Sequence, residues 1–420
     1  MKKFYFFIAI LLIFNGYSQP FTQRMPLEEL YQAANSHYPL IKDAGLIDNL
    51  EAANLAVITR GALPKISWQG QGQVQSENIN LPLGTTILEA PLETWSTYLN
   101  IDYNLYNGGL TKAQKKIEAA SAEVDRNALE VQLRKLKDQI NTLVFAVSLS
   151  RKQQQILQNS RNDLATNIQT LQAAYDNGIA LESEVATLKV RELELTSDIV
   201  ALAGDINTYF LLLEQLTGRT LPKDVQFELP YTIIGDATNI RRPENELFES
   251  QKSLFTAQEA SVAANTLPKI SLFAQGGVGD PNPLNFSDFS TTTFALGGIR
   301  LNWNFLDFGK GKKEKQRLKI QTEQIEVDKE LFLFDIESRS REYREQIRAT
   351  KLKIANKTDI VTLQKSILNQ TKVQLDNGVI NANDYVTQLN ATLNAEQELE
   401  FNKTQLQQLQ IEYLTLLGQL

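Results

Sequence analysis

The sequence predicts a mainly α-helical fold with a small β part, in which one structural unit occurs twice. The pentapeptide LPKIS starts at residue 63 and again at residue 267, which is 204 positions later (267 − 63). Each copy opens a pair of stretches in which apolar and polar side chains alternate, as they do along β-strands. Each pair is followed by a long span without proline, whose apolar residues recur at helical spacing.

Further landmarks support a duplication of the chain. The sequence YDNGI at Tyr175 corresponds to LDNGV at Leu375, and NLYNGG at Asn104 corresponds to NFLDFG at Asn304, each pair being 200 positions apart (375 − 175). The first copy therefore has four extra residues (204 − 200) before Asn104. A period this long is not that of a solenoid. We predict a first unit over residues 19–220, a connector over 221–243 and a second unit over 244–420.

Residues 1–18 have the pattern of a secretory signal peptide. Two lysines precede an apolar run over residues 4–14, and the small residues Gly16 and Ser18 stand before the expected cleavage site. The run is too short to cross a membrane as a helix, and no later segment approaches about 18 uninterrupted apolar residues. We therefore expect an exported chain that has no transmembrane helix.

The composition argues against several classes of function. The chain has no cysteine, which excludes disulfides, thiolate metal sites and a cysteine nucleophile. Its only histidine, His37, is expected in a solvated or capping position. Without residues 1–18 the formal charge is −9 (42 − 2 basic residues against 49 acidic ones), which argues against nucleic acid as a partner. No catalytic motif or cluster of metal ligands is present, so we expect no enzymatic activity, no cofactor and no metal site.

The alternating stretches predict one β-hairpin per unit, over residues 65–105 and 269–305. Side chains such as Ile66, Trp68 and Leu99 share an apolar face, and glutamines and asparagines share the opposite one. A soluble sandwich is the alternative, but strands of about ten residues with a polar second face are typical of outer-membrane barrels. Four strands cannot close a barrel, which needs about eight or more. We expect the remaining strands to come from other copies of the chain.

Long helices are predicted over residues 109–177 and 310–377, each roughly 100 Å long at ~1.5 Å per residue. Their apolar positions follow a heptad seam, and each span ends at Asp-Asn-Gly, where glycine favours a helix stop. Shorter helices over residues 181–217 and 381–417 then return. The segments 27–60 and 244–264, which precede LPKIS, are expected to be helices stacked on the returning ones.

The order of these features resembles the TolC-type outer-membrane efflux proteins, over about residues 26–420. The resemblance rests on the duplicated unit, the LPKIS start of each hairpin, the N-x-x-x-G end of its last strand and the DNG turn followed by an acidic residue. It implies a homotrimer with a 12-stranded β-barrel in the outer membrane of a Gram-negative bacterium and an antiparallel coiled-coil helical barrel in the periplasm. It also implies a periplasmic adaptor and an inner-membrane pump of the RND, ABC or MFS type as partners, beside outer-membrane lipid. A soluble periplasmic coiled-coil adaptor is the alternative.

The resemblance also implies roles for individual residues. The expected adaptor-docking turns are formed by Asp176, Asn177, Gly178, Asp376, Asn377 and Gly378. The expected periplasmic gate contains Asp384, together with Glu184 at the equivalent position of the first unit and Thr387 where the family often has a second aspartate. A plain capping role is the alternative for Asp384, because Asn381 can begin the returning helix three residues earlier. Pro64 and Pro268 are expected to mark the joints between helix and strand.

Overall fold

The computed structural model describes residues 24–78, 80–83, 86–89, 91–228, 240–285 and 289–420. The expected signal peptide and residues 229–239 of the expected connector lie outside the described residues. In chain order the elements are β1 (Arg24–Pro26), α1 (Leu27–His37), α2 (Lys42–Gly61), β2 (Lys65–Val74), β3 (Asn80–Leu83), β4 (Thr86–Glu89), β5 (Glu93–Tyr106), α3 (Leu110–Asp176), α4 (Glu182–Thr217), β6 (Gln226–Glu228), α5 (Pro243–Asn265), β7 (Lys269–Asp280), β8 (Thr292–Asn302), α6 (Lys310–Asp376) and α7 (Ala382–Leu417).

Four long helices form most of the molecule. The helices α3 and α6 have 67 residues each and are followed by α4 and α7, which have 36 residues each. Each long helix packs along its returning partner, and α3 also packs against α7. At about 1.5 Å per residue the long helices reach roughly 100 Å. The fold is therefore mainly helical, with a small sheet at one end.

The helix expected over residues 27–60 is interrupted. Helix α1 ends at His37, a 3-10 turn occupies Pro39–Ile41, and α2 begins at Lys42. Proline disfavours the α conformation in the residue before it, and Tyr38 has an extended ψ of 132°. Pro39 therefore divides the predicted helix into two. The side chain of His37 is exposed and packs so closely on Gly218 that a Cβ there would lie 2.3 Å from the imidazole.

The four main strands form one antiparallel sheet in the order β2-β5-β7-β8. The first hairpin (β2 and β5) and the second (β7 and β8) meet where β5 pairs with β7. The register places the apolar residues of the four strands on one face, as in the cross-strand pairs Trp68 with Leu99 and Ile101 with Ala274. We call this the outer face and the opposite, polar one the inner face. Among the described residues, the edges of this sheet at β2 and β8 have no partner strand.

The sheet departs from the sequence prediction at three points. Strand β8 ends at Asn302, whereas the alternation had suggested a strand to residue 305. The loop of the first hairpin contains the additional strands β3 and β4, which pair with each other. The inner face also has aromatic residues: the rings of Tyr98 and Phe294 meet edge to face across Gly277, with centroids 5.9 Å apart. Glycine between them leaves the space that both rings occupy.

Buried apolar residues form separate clusters along the helices. One cluster joins α1, α3 and α4 through side chains such as Tyr31, Ile140 and Phe210, and it includes Leu221 and Val225 of the connector. Strands β1 and β6 pair in parallel beside it. A second cluster joins α3, α4, α6 and α7 near the turns at the end of the helices away from the sheet. Of the described helices, only α4 is long and apolar enough to cross a membrane by length and composition; the sequence had not led us to expect one.

Candidate functional site

The first part of the site is the junction between helix and strand in each unit. Pro64 lies between the end of α2 and the start of β2, and Pro268 lies between α5 and β7. Proline cannot donate the hydrogen bond that a continuing helix needs, so the chain changes from helix to strand there. In the second unit Trp303 Nε1 donates to the carbonyl oxygen of Thr266 at 3.2 Å, which ties the end of the sheet to the end of α5.

The long helices begin after each hairpin, and their first turns differ between the units. Gly109 and Gly309 precede α3 and α6 with positive φ angles of 82° and 81°. In the second unit the carboxylate of Asp307 accepts hydrogen bonds from the backbone N–H groups of Gly309 and Gly311, both at 2.9 Å. These bonds from Gly311 and Gly309 hold the pKa of Asp307 below its usual range. In the first unit Asn107 instead donates to the hydroxyl of Thr111 at 2.6 Å.

The turns at the opposite end of the helices have the same geometry in both units. The N–H of Ile179 donates to Ala174 O at 2.8 Å, and that of Val379 donates to Gln374 O at 2.9 Å. These bonds, which span five residues, are characteristic of the Schellman motif at the end of a helix. Gly178 and Gly378 have the positive φ angles, 75° and 68°, that this motif requires. All six expected docking residues are exposed. The apolar side chains of Ile179 and Val379 beside them are 81% and 70% exposed, so both turns present apolar surface.

The expected gate residues lie in the first two turns of the returning helices. The backbone N–H of Asp384 donates to Asn381 Oδ1 at 3.0 Å, so Asn381 caps α7 and the exposed carboxylate of Asp384 lies at its third position. Glu184 accepts a hydrogen bond from the N–H of Leu181 at 3.1 Å. Thr387 donates its hydroxyl to Asn383 O at 2.9 Å. The Asp384 carboxylate thus remains directed to solvent while its backbone takes part in the cap.

A buried polar contact close to the expected gate residues connects the two units. Asn167 of α3 donates from Nδ2 to the hydroxyl of Tyr385 in α7 at 2.5 Å, and both side chains are nearly fully buried. Burial raises the pKa of Tyr385 to about 12, although the Asn167 hydrogen bond acts in the opposite direction. The contact lines a groove of about 710 Å³ between the units, whose wall also contains Ser160 and Asp163. Sequence reasoning missed this pair, because the heptad pattern shows the seam and not the polar residues within it.

Polar side chains on the inner face of the sheet form a connected network. Gln275 Nε2 donates to Asn100 Oδ1 at 3.0 Å, and Asn100 in turn contacts Asp102. Arg300 lies 3.8 Å from Asp102 and stacks over the ring of Phe273 at 4.8 Å. Charged and amide groups therefore line the inner face of the sheet, opposite the apolar outer face.

Several solved outer-membrane channels have this fold. The outer-membrane channel OprN superposes with a TM-score of 0.68 at 14% identity, over 93% of this chain and 89% of the OprN chain. The CmeC outer membrane channel of Campylobacter jejuni gives 0.65 at 15% identity, over 94% and 85%. The outer membrane protein VceC of Vibrio cholerae gives 0.65 at 12% identity, over 93% and 96%. No protein-family model matches the sequence, and no curated protein matches it.

The class that these structures define is a helical body of long antiparallel helices with a small sheet at one end. The chain has the TolC-type outer-membrane channel fold, as the sequence resemblance had led us to expect. At identities of 12–15% these superpositions establish the fold alone, so the function has to be argued from the site.

Proposed function

We propose that the chain is the outer-membrane channel of a tripartite export system in a Gram-negative bacterium. Three copies would form a passive duct across the outer membrane and the periplasm for substrates that an inner-membrane pump and a periplasmic adaptor deliver. The observation that carries this proposal is the four-stranded sheet with an apolar outer face, a polar inner face and two unpaired edges among the described residues. Open edges cannot remain unpaired in lipid, and a closed ring of copies removes them.

The repeat indicates how the edges close. Inside the chain, the second strand of unit 1 (β5) pairs with the first strand of unit 2 (β7). The same rule pairs β8 with β2 of the next copy, and three copies give twelve strands. Outer-face residues such as Trp68 and Ile299, which are 80% and 70% exposed, would then face lipid. In a soluble adaptor this apolar band would be exposed to water, which favours the channel over that alternative.

The helices leave matching surfaces for the next copy. Helix α5 packs on both α6 of its own unit and α3 of the other, whereas its counterpart α2 packs on α3 of its own unit. Leu46 of α2 is 61% exposed, and the residue 204 positions later in α5, Ser250, is 6% exposed. The exposed stripe that includes Leu46 and Leu50 would therefore pack on α6 of the preceding copy, whose β8 pairs with β2 of this one. This assignment also explains the exposed apolar residues of α4, which would contact the same neighbour.

Two measurements test the duct. Membrane fractionation should recover the protein with the outer membrane, requiring detergent for extraction, and mass measurement in detergent should give three chains. Recovery from the soluble periplasm, or a monomer as the only stable species, would contradict the proposal.

The exposed apolar turns are proposed as the adaptor-docking surface. Gly178→Val or Gly378→Val should impair export more than it lowers the amount of assembled trimer, because a β-branched residue cannot easily adopt a positive φ. No neighbouring atom lies within 4 Å of a Cβ built at either glycine, so a steric clash does not add to the effect. A loss of export that only follows a loss of protein would leave these turns as plain helix stops.

Asp384 is proposed as the gate residue. Threefold symmetry would bring three Asp384 carboxylates around the narrow periplasmic end, where they attract cations. Asp384→Asn keeps the shape of the side chain and the backbone bond to Asn381, and it removes the charge. Single channels of the variant should lose cation selectivity and block by multivalent cations. Unchanged selectivity in a correctly assembled trimer would leave Asp384 with its capping position alone.

A further inference from the structure

A groove of about 800 Å³ lies where α2 ends and α3 begins, next to the sheet. Its walls combine apolar side chains, Val57 and Ile58, with Tyr103 and Tyr106 of β5 and with Lys112 and Lys115 of the first turns of α3. No residue that the structure describes forms an ion pair or a hydrogen bond with either lysine side chain. The groove thus joins an apolar floor to two uncompensated positive charges.

The two tyrosines place the groove on the outer surface of the sheet. Tyr103 is opposite Leu272, so it lies on the outer face with Ile101 and Leu99. An irregularity in the ladder after Asn104 lets Tyr106 pair with Ile270, which returns Tyr106 to the same face. The groove therefore continues the apolar band at its helical end. Aromatic residues are enriched at this boundary of outer-membrane barrels, where a ring contacts acyl chains and its hydroxyl contacts headgroups.

Comparison of the two units shows that the lysines recur and the tyrosines do not. Lys112 and Lys115 have counterparts 200 positions later in Lys312 and Lys315, whereas Tyr103 and Tyr106 correspond to Trp303 and Leu306. The Trp303 indole donates to Thr266 O at 3.2 Å, which holds it at the end of α5. In unit 1 the nearest acid of α3, Glu118, accepts a hydrogen bond from Asn54 at 2.7 Å. Unit 1 therefore combines the two lysines with two tyrosines that unit 2 lacks.

We propose that this groove binds an anionic phospholipid of the periplasmic leaflet of the outer membrane. Lys112 and Lys115 contact the headgroup phosphate, at a helix start where the macrodipole also favours negative charge. The acyl chains lie on Ile58 and the tyrosine rings. Charge complementarity and continuity with the lipid-facing band identify the occupant as a lipid. This inference rests on the proposed outer-membrane location.

Native mass spectrometry of the full-length protein in an uncharged detergent tests the site, with phosphatidylglycerol, phosphatidylcholine and inorganic phosphate as separate additions. We expect saturation at one phosphatidylglycerol per chain, with phosphatidylcholine bound about tenfold more weakly or less. Inorganic phosphate should not displace the lipid. Lys112→Gln with Lys115→Gln should weaken phosphatidylglycerol binding by about tenfold or more. The matched pair Lys312→Gln with Lys315→Gln should leave it within about twofold, because that helix start has Trp303 and Leu306 in place of the two tyrosines.

Ile58→Asn separates a lipid site from an anion site, since it retains both lysines and should still weaken lipid binding. Equal binding of the two lipids, an unaffected Lys112 and Lys115 variant, or an equal loss in the matched pair would overturn the inference. A variant that weakens the trimer without changing lipid binding would show that the next copy occupies the groove, which also overturns it. An outer-membrane channel that conducts but shows no lipid preference refutes this inference alone. Recovery of the protein in the soluble periplasm refutes the proposed function.

Discussion

The two units have the same elements in the same order, but the seams that they form differ in chemistry. The seam inside the chain, where α7 meets α3, contains the Asn167–Tyr385 hydrogen bond and the polar wall residues Ser160 and Asp163. The counterparts of Ser160 and Asp163, 200 positions later, are Ile360 and Leu363 of α6, which are 40% and 64% exposed. Likewise Leu393 of α7 is 3% exposed, whereas its counterpart Leu193 of α4 is 70% exposed. At these positions along the helices, the apolar side chains are exposed where the proposed neighbour is another chain.

This difference has a physical reason. A seam inside one chain is held by the covalent connection, so it tolerates polar side chains and a groove. A seam between chains must offset the loss of translational and rotational freedom on association, and burial of apolar area is the main source of that free energy. Divergence between the two units is therefore expected at the surfaces whose partner changed from the same chain to another copy.

The largest effect is expected from charges placed in the seam between copies. Leu193→Asp with Leu363→Asp removes two apolar contacts worth about 1.5–3 kcal/mol each and adds carboxylates that must be desolvated at each of three seams. The trimer should be lost in detergent at concentrations where the wild type is fully assembled. Thr362→Asp, on an exposed neighbouring position of α6, is the control and should assemble. A trimer of normal stability in the double variant would show that these residues do not form the seam.

A smaller effect is expected at the starts of the long helices. Gly108 has a φ of 70° and lies so close to α5 that a Cβ there would approach Ala264 O to 2.4 Å. Its counterpart is Phe308, which has a φ of 51° and is 90% exposed. Gly108→Phe should lower the stability of the chain by about 3 kcal/mol, from overpacking and backbone strain together.

The reverse change, Phe308→Gly, relieves a positive φ and should alter the thermal stability of the dissociated chain by about 1 kcal/mol or less. Thermal unfolding of both variants, followed by circular dichroism, measures the difference. Similar losses in the two would mean that the close approach of Gly108 to α5 does not govern this joint.

The polar contact inside the chain is expected to contribute less than the close packing at Gly108 and to depend on pH. Tyr385→Phe leaves Asn167 Nδ2 without its acceptor and should cost about 1–2 kcal/mol. Because the folded pKa, about 12, is above the ordinary value of 10.0, the neutral phenol stabilises the fold fully below pH 10. That contribution is lost as the pH rises through 12.

Urea unfolding at several values between pH 9 and pH 12 should therefore show a steeper loss of stability in the wild type than in the Phe variant. Asn167→Leu is the matched change on the other side of the seam. Parallel pH profiles for the wild type and Tyr385→Phe would show that Tyr385 does not titrate differently in the folded chain.

Much of the fold could be predicted because it depends on repeating patterns. Strict alternation around Trp68 and Leu99 fixes which face of the sheet is apolar, since a slip of one residue would invert it. The bonds at Gly178 and Gly378 follow from the local demand for a positive φ. Both features depend only on neighbours in the sequence.

The remaining features depend on contacts between distant residues. Tyr98 and Phe294 meet on the inner face because Gly277, between them in the sheet, leaves room for both rings. The Asn167–Tyr385 pair joins residues 218 positions apart. The break at Pro39 could have been predicted from the proline alone. Its omission came from extending a helical pattern across a residue that rarely permits one.

Cysteine cross-linking of the two sheet edges tests the proposed ring most directly, and the natural chain has no cysteine to interfere. Inside the chain Asn100 pairs with Gln275, so the repeat predicts that Arg300 (100 + 200) pairs with Gln71 (275 − 204) of the next copy. Arg300→Cys with Gln71→Cys should form disulfides between chains and give a covalent trimer on denaturing gels. Within one chain the two positions are three strand spacings apart across the sheet, roughly 14 Å, and also eight residues apart along the strands, which is too far for a disulfide.

Arg300→Cys with Lys65→Cys places the second thiol six residues further along β2, about 20 Å away, and should remain monomeric on the same gels. The account predicts a covalent trimer for the first pair and none for the second. Cross-linking of neither pair, or of both equally, would contradict the closure of the sheet by β2 and β8 of neighbouring copies.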